Sequence, residues 1–150
     1  MNIFPPKRVL VPGHVSSSEV GSRTEAFIVS RLMENGYVVL APFGVQRYDL
    51  AFEDAERRFW RIQCKTGRWV KGSILFNARN SQFSRGNGGW KNNQRPYKGD
   101  CDYFAVYSRD TGKAYLVPVN EVGVSVCSLR VEPTGNNAEK GIRWAADYEL

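Results

Sequence analysis

The chain has 150 residues, a length that suits one domain burying about 70% of the surface exposed when unfolded. Its composition is that of an ordinary globular protein, 42% hydrophobic and 24% charged with a net charge of +6, and it has no apolar run near the ~20 residues of a membrane-spanning helix. Three cysteines (Cys64, Cys101, Cys127) without CxxC spacing and a lone His14 exclude a disulfide framework and a zinc site, and fit a reducing cytoplasm.

Met1 to Gly13 alternates apolar, proline and basic residues without the h-region of a secretory signal, so residues 1–20 are expected to form an arm in which His14 is inert. Ser22 to Asn35 repeats Ile28, Val29, Leu32 and Met33 at helical spacing, with Ser22 and Glu25 spaced as a capping box and Gly36 placed for a left-handed C-cap. Three strands are expected next, over Tyr37 to Phe43, Arg47 to Phe52, and Arg58 to Thr66 closed by Gly67. Glu53 to Glu56 is short enough to turn the second into the third as an antiparallel hairpin.

Ser73 to Phe76 reads as another strand, after which Arg79 to Asp100 loses all periodicity and is expected to be a long loop, bounded at 78–100. Order returns with a hairpin of Tyr103 to Tyr107 and Ala114 to Val119, joined across Arg109 to Gly112. Val124 to Val131 adds an edge strand, and Asn136 to Leu150 a docked tail anchored by Ile142 and Trp144. No repeat and no domain boundary interrupts residues 1–150.

Charge is unevenly spread. Arg57 to Gly99 contains eleven Lys or Arg residues, while all fifteen acids lie outside that window, the footprint of a polyanion-binding face. Within and beside the loop, Arg79, Asn80, Gln82, Arg85, Lys91, Asn92, Asn93, Gln94, Arg95 and Lys98 form a kit for reading bases, since Arg pairs bidentately with guanine and Asn or Gln with adenine. Arg68 and Lys71 extend the basic set towards phosphates, and Trp90 and Tyr97 stack on bases or anchor the loop.

A metal-dependent phosphodiesterase needs oxygen ligands for a divalent cation beside the scissile phosphate and a positive group for the developing charge. Asp49, Gln63 and Lys65 supply these: Gln63 and Lys65, two apart on a strand, share a face, and Asp49 lies on the preceding strand of the hairpin. Gln63 offers a neutral oxygen and Cys64 its carbonyl. The alternatives are structural: Glu25 as no more than the capping partner of Ser22, and Asp49 as an ion-pair partner of Arg47 or Arg61. Asp102, ahead of an apolar strand, reads as a structural acid.

Five segments carry a resemblance to a known family: Gly21-Ser22-Arg23-Thr24-Glu25-Ala26, Tyr48-Asp49-Leu50, Ile62-Gln63-Cys64-Lys65-Thr66-Gly67, Asp102-Tyr103-Phe104-Ala105-Val106-Tyr107, and Tyr115-Leu116-Val117-Pro118. Together they resemble the PD-(D/E)XK nuclease superfamily, and more closely the homing endonucleases of this type encoded in group I introns of cyanobacteria. The resemblance implies an α/β (α+β) restriction-endonuclease-like core, a mixed central sheet with an N-terminal helix packed on it. It also implies Mg2+-dependent hydrolysis of double-stranded DNA, Mn2+ substituting, with Asp49 as metal-binding acid, Lys65 as catalytic lysine and Glu25 as the helix-borne acid. Two positions depart from the pattern: Tyr48 replaces the name-giving proline, and Gln63 replaces an acid and so removes one negative charge.

The expected activity is site-specific double-strand cutting. One centre cuts one strand, so a dimer or a dimer of dimers is expected. A Holliday-junction resolvase or a restriction enzyme would carry the same residues, and a non-catalytic DNA-binding module is the reading from another class.

Overall fold

The computed structural model describes residues 15–86 and 89–150, with side chains for 15–80 and 95–150. His14, most of the expected arm, and the side chains of Gln82, Arg85, Trp90, Lys91, Asn92, Asn93 and Gln94 lie outside the described residues.

Helix α1 spans Ser17–Glu34. It starts earlier than the sequence pattern indicated, because Ser16 and Glu19 repeat the Ser-x-x-Glu spacing six residues upstream. The Glu19 N–H donates to Ser16 Oγ at 3.2 Å and the Ser16 N–H to Glu19 Oε2 at 2.7 Å, a reciprocal capping box. Four-residue spacing carries the inner face from Thr24 through Ile28 to Leu32, all buried. The expected arm is therefore helical from Ser17, and Glu25 lies inside the helix, with no capping role.

Nine strands follow among the described residues: β1 (Val38–Leu40), β2 (Leu50–Glu53), β3 (Phe59–Val70), β4 (Ser73–Asn77), β5 (Arg79–Gly86), β6 (Gly89–Pro96), β7 (Tyr103–Ser108), β8 (Lys113–Pro118) and β9 (Val126–Arg130). Seven form one mixed sheet in which β1-β2-β3-β4-β9 are neighbours in that order and β7 joins β3 in parallel, with β8 antiparallel beyond it. The helix and sheet form the α+β, restriction-endonuclease-like core expected.

Strand β2 begins at Leu50 and not at Arg47, which leaves Asp49 just ahead of the strand expected to carry it, and three further spans differ from expectation. β1 is only three residues long, since Pro42 lacks a ladder donor and Gly44 takes a positive φ of 77° soon after. β3 does not stop at Gly67: it runs on to Val70 and turns into β4 through Lys71 and Gly72, both at positive φ (46° and 77°), the signature of a tight hairpin turn. Gly67 is needed for close approach instead, because a Cβ there would collide with Ile74 Cγ2 and stand 3.1 Å from Val106 Cγ1. The third difference is the expected loop at 78–100, most of which is an antiparallel ribbon of β5 and β6, paired from Arg79↔Pro96 to Gly86↔Gly89. Apart from Phe83 and Trp90 it carries no large apolar residue, so no period-two apolar signal exists to reveal it.

The sheet has a core on each face. On one, Ile62, Cys64 and Ala105 pack with Leu50 and Phe52 against Ile28 and Leu32 of α1. On the other, Phe104, Val106, Ile74 and Phe76 pack with Tyr97, Tyr115 and Val117. Alternation along β3 therefore sends Ile62 and Cys64 towards the helix and Gln63 and Lys65 towards the opposite face.

Candidate active site at the edge of β3

Strand β2 accompanies β3 only as far as the pair Leu50↔Ile62, where the Asp49 N–H makes a last contact with the Ile62 carbonyl at 2.9 Å. Strand β4 joins β3 at Arg68, so Gln63 to Gly67 keeps β7 as its ladder partner. Asp49 fills the start of this gap with its side chain. Its Oδ2 accepts the Cys64 N–H at 2.7 Å and Gln63 Nε2 at 2.6 Å, so a carboxylate replaces the strand neighbour that β2 no longer supplies. Amide and carbonyl of one strand residue point to the same edge in an antiparallel ladder, which leaves the Cys64 carbonyl facing the same gap.

Neither structural partner considered for Asp49 takes it. Arg47 Nε stands 2.7 Å from Asp100 Oδ2, an ion pair without hydrogen-bond alignment, and Arg61 pairs with Asp102 at 3.2 Å. Asp102 also accepts the Arg61 backbone N–H at 2.8 Å, the structural use expected of it. Among the described residues Asp49 makes no ion pair within 4.0 Å. Burial raises its carboxyl above the ordinary aspartate range, against the two donated hydrogen bonds and the charge of Lys65. On α1, Glu25 is raised as well, by partial desolvation first and by the Asp49 charge second. Helix acid and strand acid thus share one field.

Lys65 lies on the same face as Gln63 and answers to the charge of Asp49, although burial is the larger influence and lowers its ammonium from the usual lysine range. Its Nζ stands 4.6 Å from the centre of the Tyr97 ring and 3.5 Å from the Tyr97 hydroxyl. Arg47 also lies over that ring, at 5.0 Å. A cavity of about 350 Å³ opens beside these groups, lined by Val45, Gln46, Arg47, Asp49, Gln63, Asn80 and Tyr97.

Of the residues singled out in the sequence, Asp49, Gln63 and Cys64 come into direct contact, and Lys65 and Glu25 stand within their electrostatic reach. Asn80, at the start of β5, lines the cavity. Arg95 is drawn to Asp100 at 3.6 Å, while Arg68, Lys71 and Lys98 are exposed away from the Asp49 contacts. The sequence named Arg47 only as a structural partner for Asp49, not as a residue lining the cavity, and the contact of Tyr97 with Lys65 escaped it. Arg47, two residues before Asp49, was the available signal; the Tyr97 contact spans 32 residues and had none.

A divalent cation fits this chemistry by the kind of donor. Asp49, the Gln63 amide, the Cys64 carbonyl and Glu25 are hard oxygen sources, and among the described residues no Lys or Arg side chain pairs with Asp49 within 4.0 Å. Histidine, cysteine and acidic side chains alone do not cluster in threes as a metal site among those residues, because position 63 contributes an amide and position 64 a backbone carbonyl.

A family model described as PD-(D/E)XK endonuclease matches residues 15–150. The chain belongs to the PD-(D/E)XK endonuclease family. Its family is one of metal-dependent nucleases, and the contacts of Asp49, Gln63 and Lys65 lie within the matched stretch. Its fold is similar to that of a solved bacterial homing endonuclease, I-Ssp6803I, with a TM-score of 0.69, 21% identity and coverage of 90% of this chain and 89% of that one. None of the curated proteins compared with this PD-(D/E)XK chain matches it. No helix among the described residues is long and apolar enough to cross a membrane.

Proposed function

We propose that this chain is a site-specific double-strand DNA endonuclease of the homing type, acting in the cytoplasm as a dimer or a dimer of dimers. One observation carries the reading: Asp49, a half-buried carboxylate with no ion-pair partner among the described residues, is fixed to Gln63 and Cys64 at an open strand edge, on the side of the sheet to which Lys65 projects.

Asp49, the Cys64 carbonyl, Gln63 and Glu25 would hold Mg2+, or Mn2+ in its place. Bound there, the cation supplies an acidified water and positive charge at the phosphate. Lys65, held beside the cavity, orients the nucleophile and stabilises the charge that builds on the phosphate oxygens. Arg47 and Asn80 line the same cavity and suit the flanking backbone. The β5–β6 ribbon, with Arg79, Gln82, Arg85, Lys91, Asn92, Asn93, Gln94 and Arg95, fits a major groove, which admits a two-stranded ribbon, while Arg68, Lys71 and Lys98 add phosphate contacts. Three buried free cysteines suit a reducing compartment.

Nicking of supercoiled plasmid tests the reading. Divalent-dependent cutting by the wild type, lost in both Asp49→Ala and Lys65→Ala with duplex binding retained, is the expected result. A non-catalytic binding module is favoured by one observation, the Gln63 amide nitrogen being donated to Asp49. Tight duplex binding by the wild type without cutting of its own target, selected from a randomised library, would establish that second reading.

A further inference from the structure

The metal-and-lysine chemistry leaves Tyr97 without a role, although it touches Lys65. A lysine ammonium sits on a four-carbon stem with free rotamers, so a catalytic lysine needs something to hold it. Lys65 makes no ion pair within 4.0 Å among the described residues. Among the described residues its ammonium donates to the Tyr97 hydroxyl at 3.5 Å, the outer limit of a hydrogen bond, and the 4.6 Å approach to the ring face is the stronger hold.

The ring itself is fixed. Tyr97 is only 4% exposed and meets Phe104 edge to face at 5.7 Å and 88°, and Phe104 lies opposite Gln63 in the β3–β7 register. Its carbonyl accepts the N–H groups of Asp100 at 2.9 Å and Cys101 at 3.2 Å, and Arg47 reaches the preceding carbonyl of Pro96 at 3.1 Å. Tyr97 is also the first residue after β6. One rigid aromatic group therefore joins the foot of the ribbon to the ammonium beside Asp49.

We propose that Tyr97 is the positioning residue of Lys65, its ring face setting where the ammonium stands and tying that position to the foot of the β5–β6 ribbon. The functional half of this inference rests on the nuclease reading; the geometric half does not. A ring face is what matters, so phenylalanine should serve and leucine should not, whereas a merely space-filling core residue would tolerate both alike.

The test uses the full chain with 13C at the lysine ε-carbons, the Lys65 resonance being assigned by its loss in Lys65→Arg. In the wild type and Tyr97→Phe, the ring current should move the Lys65 ε-methylene protons upfield, and in Tyr97→Leu they should return to the position of a free lysine. Single-turnover cleavage at saturating DNA should stay within about threefold of wild type in Tyr97→Phe and fall about tenfold to a hundredfold in folded Tyr97→Leu, with DNA affinity unchanged. An unshifted Lys65 signal in the wild type overturns the proposal whether or not Tyr97→Leu folds. Wild-type cleavage by folded Tyr97→Leu overturns it too. A shifted signal in a protein that cuts no DNA sinks the nuclease reading and leaves the placement of Lys65 standing.

Discussion

The hydroxyls of Thr24 and Thr66 stand 2.7 Å apart, bolting α1 to β3 one residue from Glu25 and one residue from Lys65. Thr24 is buried, so its hydroxyl would otherwise lack a partner. Thr24→Val keeps the shape, removes the bond and leaves the exposed Thr66 hydroxyl to water. The fold should lose about 1 kcal/mol in urea unfolding, the usual worth of such a bond. Cleavage should fall further than that loss accounts for, because the helix acid is then free to shift against β3. An unchanged rate at saturating DNA would deny the bolt any part in the site.

The carboxyls of Asp49 and Glu25 both have raised pKa values, and the sign of the pH effect follows. Between the unfolded and folded pKa of each group the native state holds more protons than the unfolded one, so stability falls as pH rises through that window and is flat above it. Asp49→Asn should flatten the fall measured by thermal unfolding and melt above the wild type at neutral pH, while cutting nothing. A lower melting temperature for Asp49→Asn at neutral pH would mean that its two accepted hydrogen bonds outweigh its burial.

Gln63→Glu adds the negative charge that the proposed site lacks at this position and removes the donor to Asp49. Two carboxylates would then meet where an amide and a carboxylate now bond. Without divalent ion the variant should unfold more easily, by about 1–3 kcal/mol for the lost donor and the added like charge. Calorimetric titration should find tighter Mn2+ binding than in the wild type. Weaker binding would show that the amide is the better ligand in this setting.

Salt should weaken DNA binding steeply. The logarithm of affinity should fall against the logarithm of salt concentration with a slope near 0.9 per phosphate contacted. Arg68→Ala and Lys71→Ala, at the exposed end of β3 and its turn, should each lower that slope by about 1 without changing the preferred sequence. A slope that ignores both changes would move the phosphate track elsewhere.

The elements that bury an apolar face were readable in the sequence, and those that do not were not. β3, β4, β7 and β8 carry branched and aromatic residues at alternate positions, and each lies within a residue or a few of its expected span. β5 and β6 are dominated by Asn, Gln, Ser and basic residues, with Phe83 and Trp90 their only large apolar side chains, so the clearest sign of their pairing was the Asn87-Gly88 dipeptide between them in the sequence. The helix start was misplaced because two Ser-x-x-Glu spacings lie six residues apart, and the buried stripe of Thr24, Ile28 and Leu32 is the same whichever of them caps the helix. Proximity of Asp49 to the Gln63-Cys64-Lys65 stretch followed from a local hairpin. The approach of Tyr97 to Lys65 depends on how residues 78–100 return to the sheet, which no local pattern encodes.

Gly67 links the interior to the cutting edge by descent as well as by packing. A methyl group at 67 would press on Ile74, and the strand that must yield is the one bearing Lys65 two residues earlier. Overpacking of this kind costs about 1–3 kcal/mol. A population carrying Gly67→Ala and selected for DNA cleavage should therefore recover through a second-site change of Ile74 to alanine, which removes the colliding Cγ2, sooner than through changes of neighbours at the surface. The lineage of such suppressors would record a steric debt inside the sheet, written in a residue that never meets the substrate.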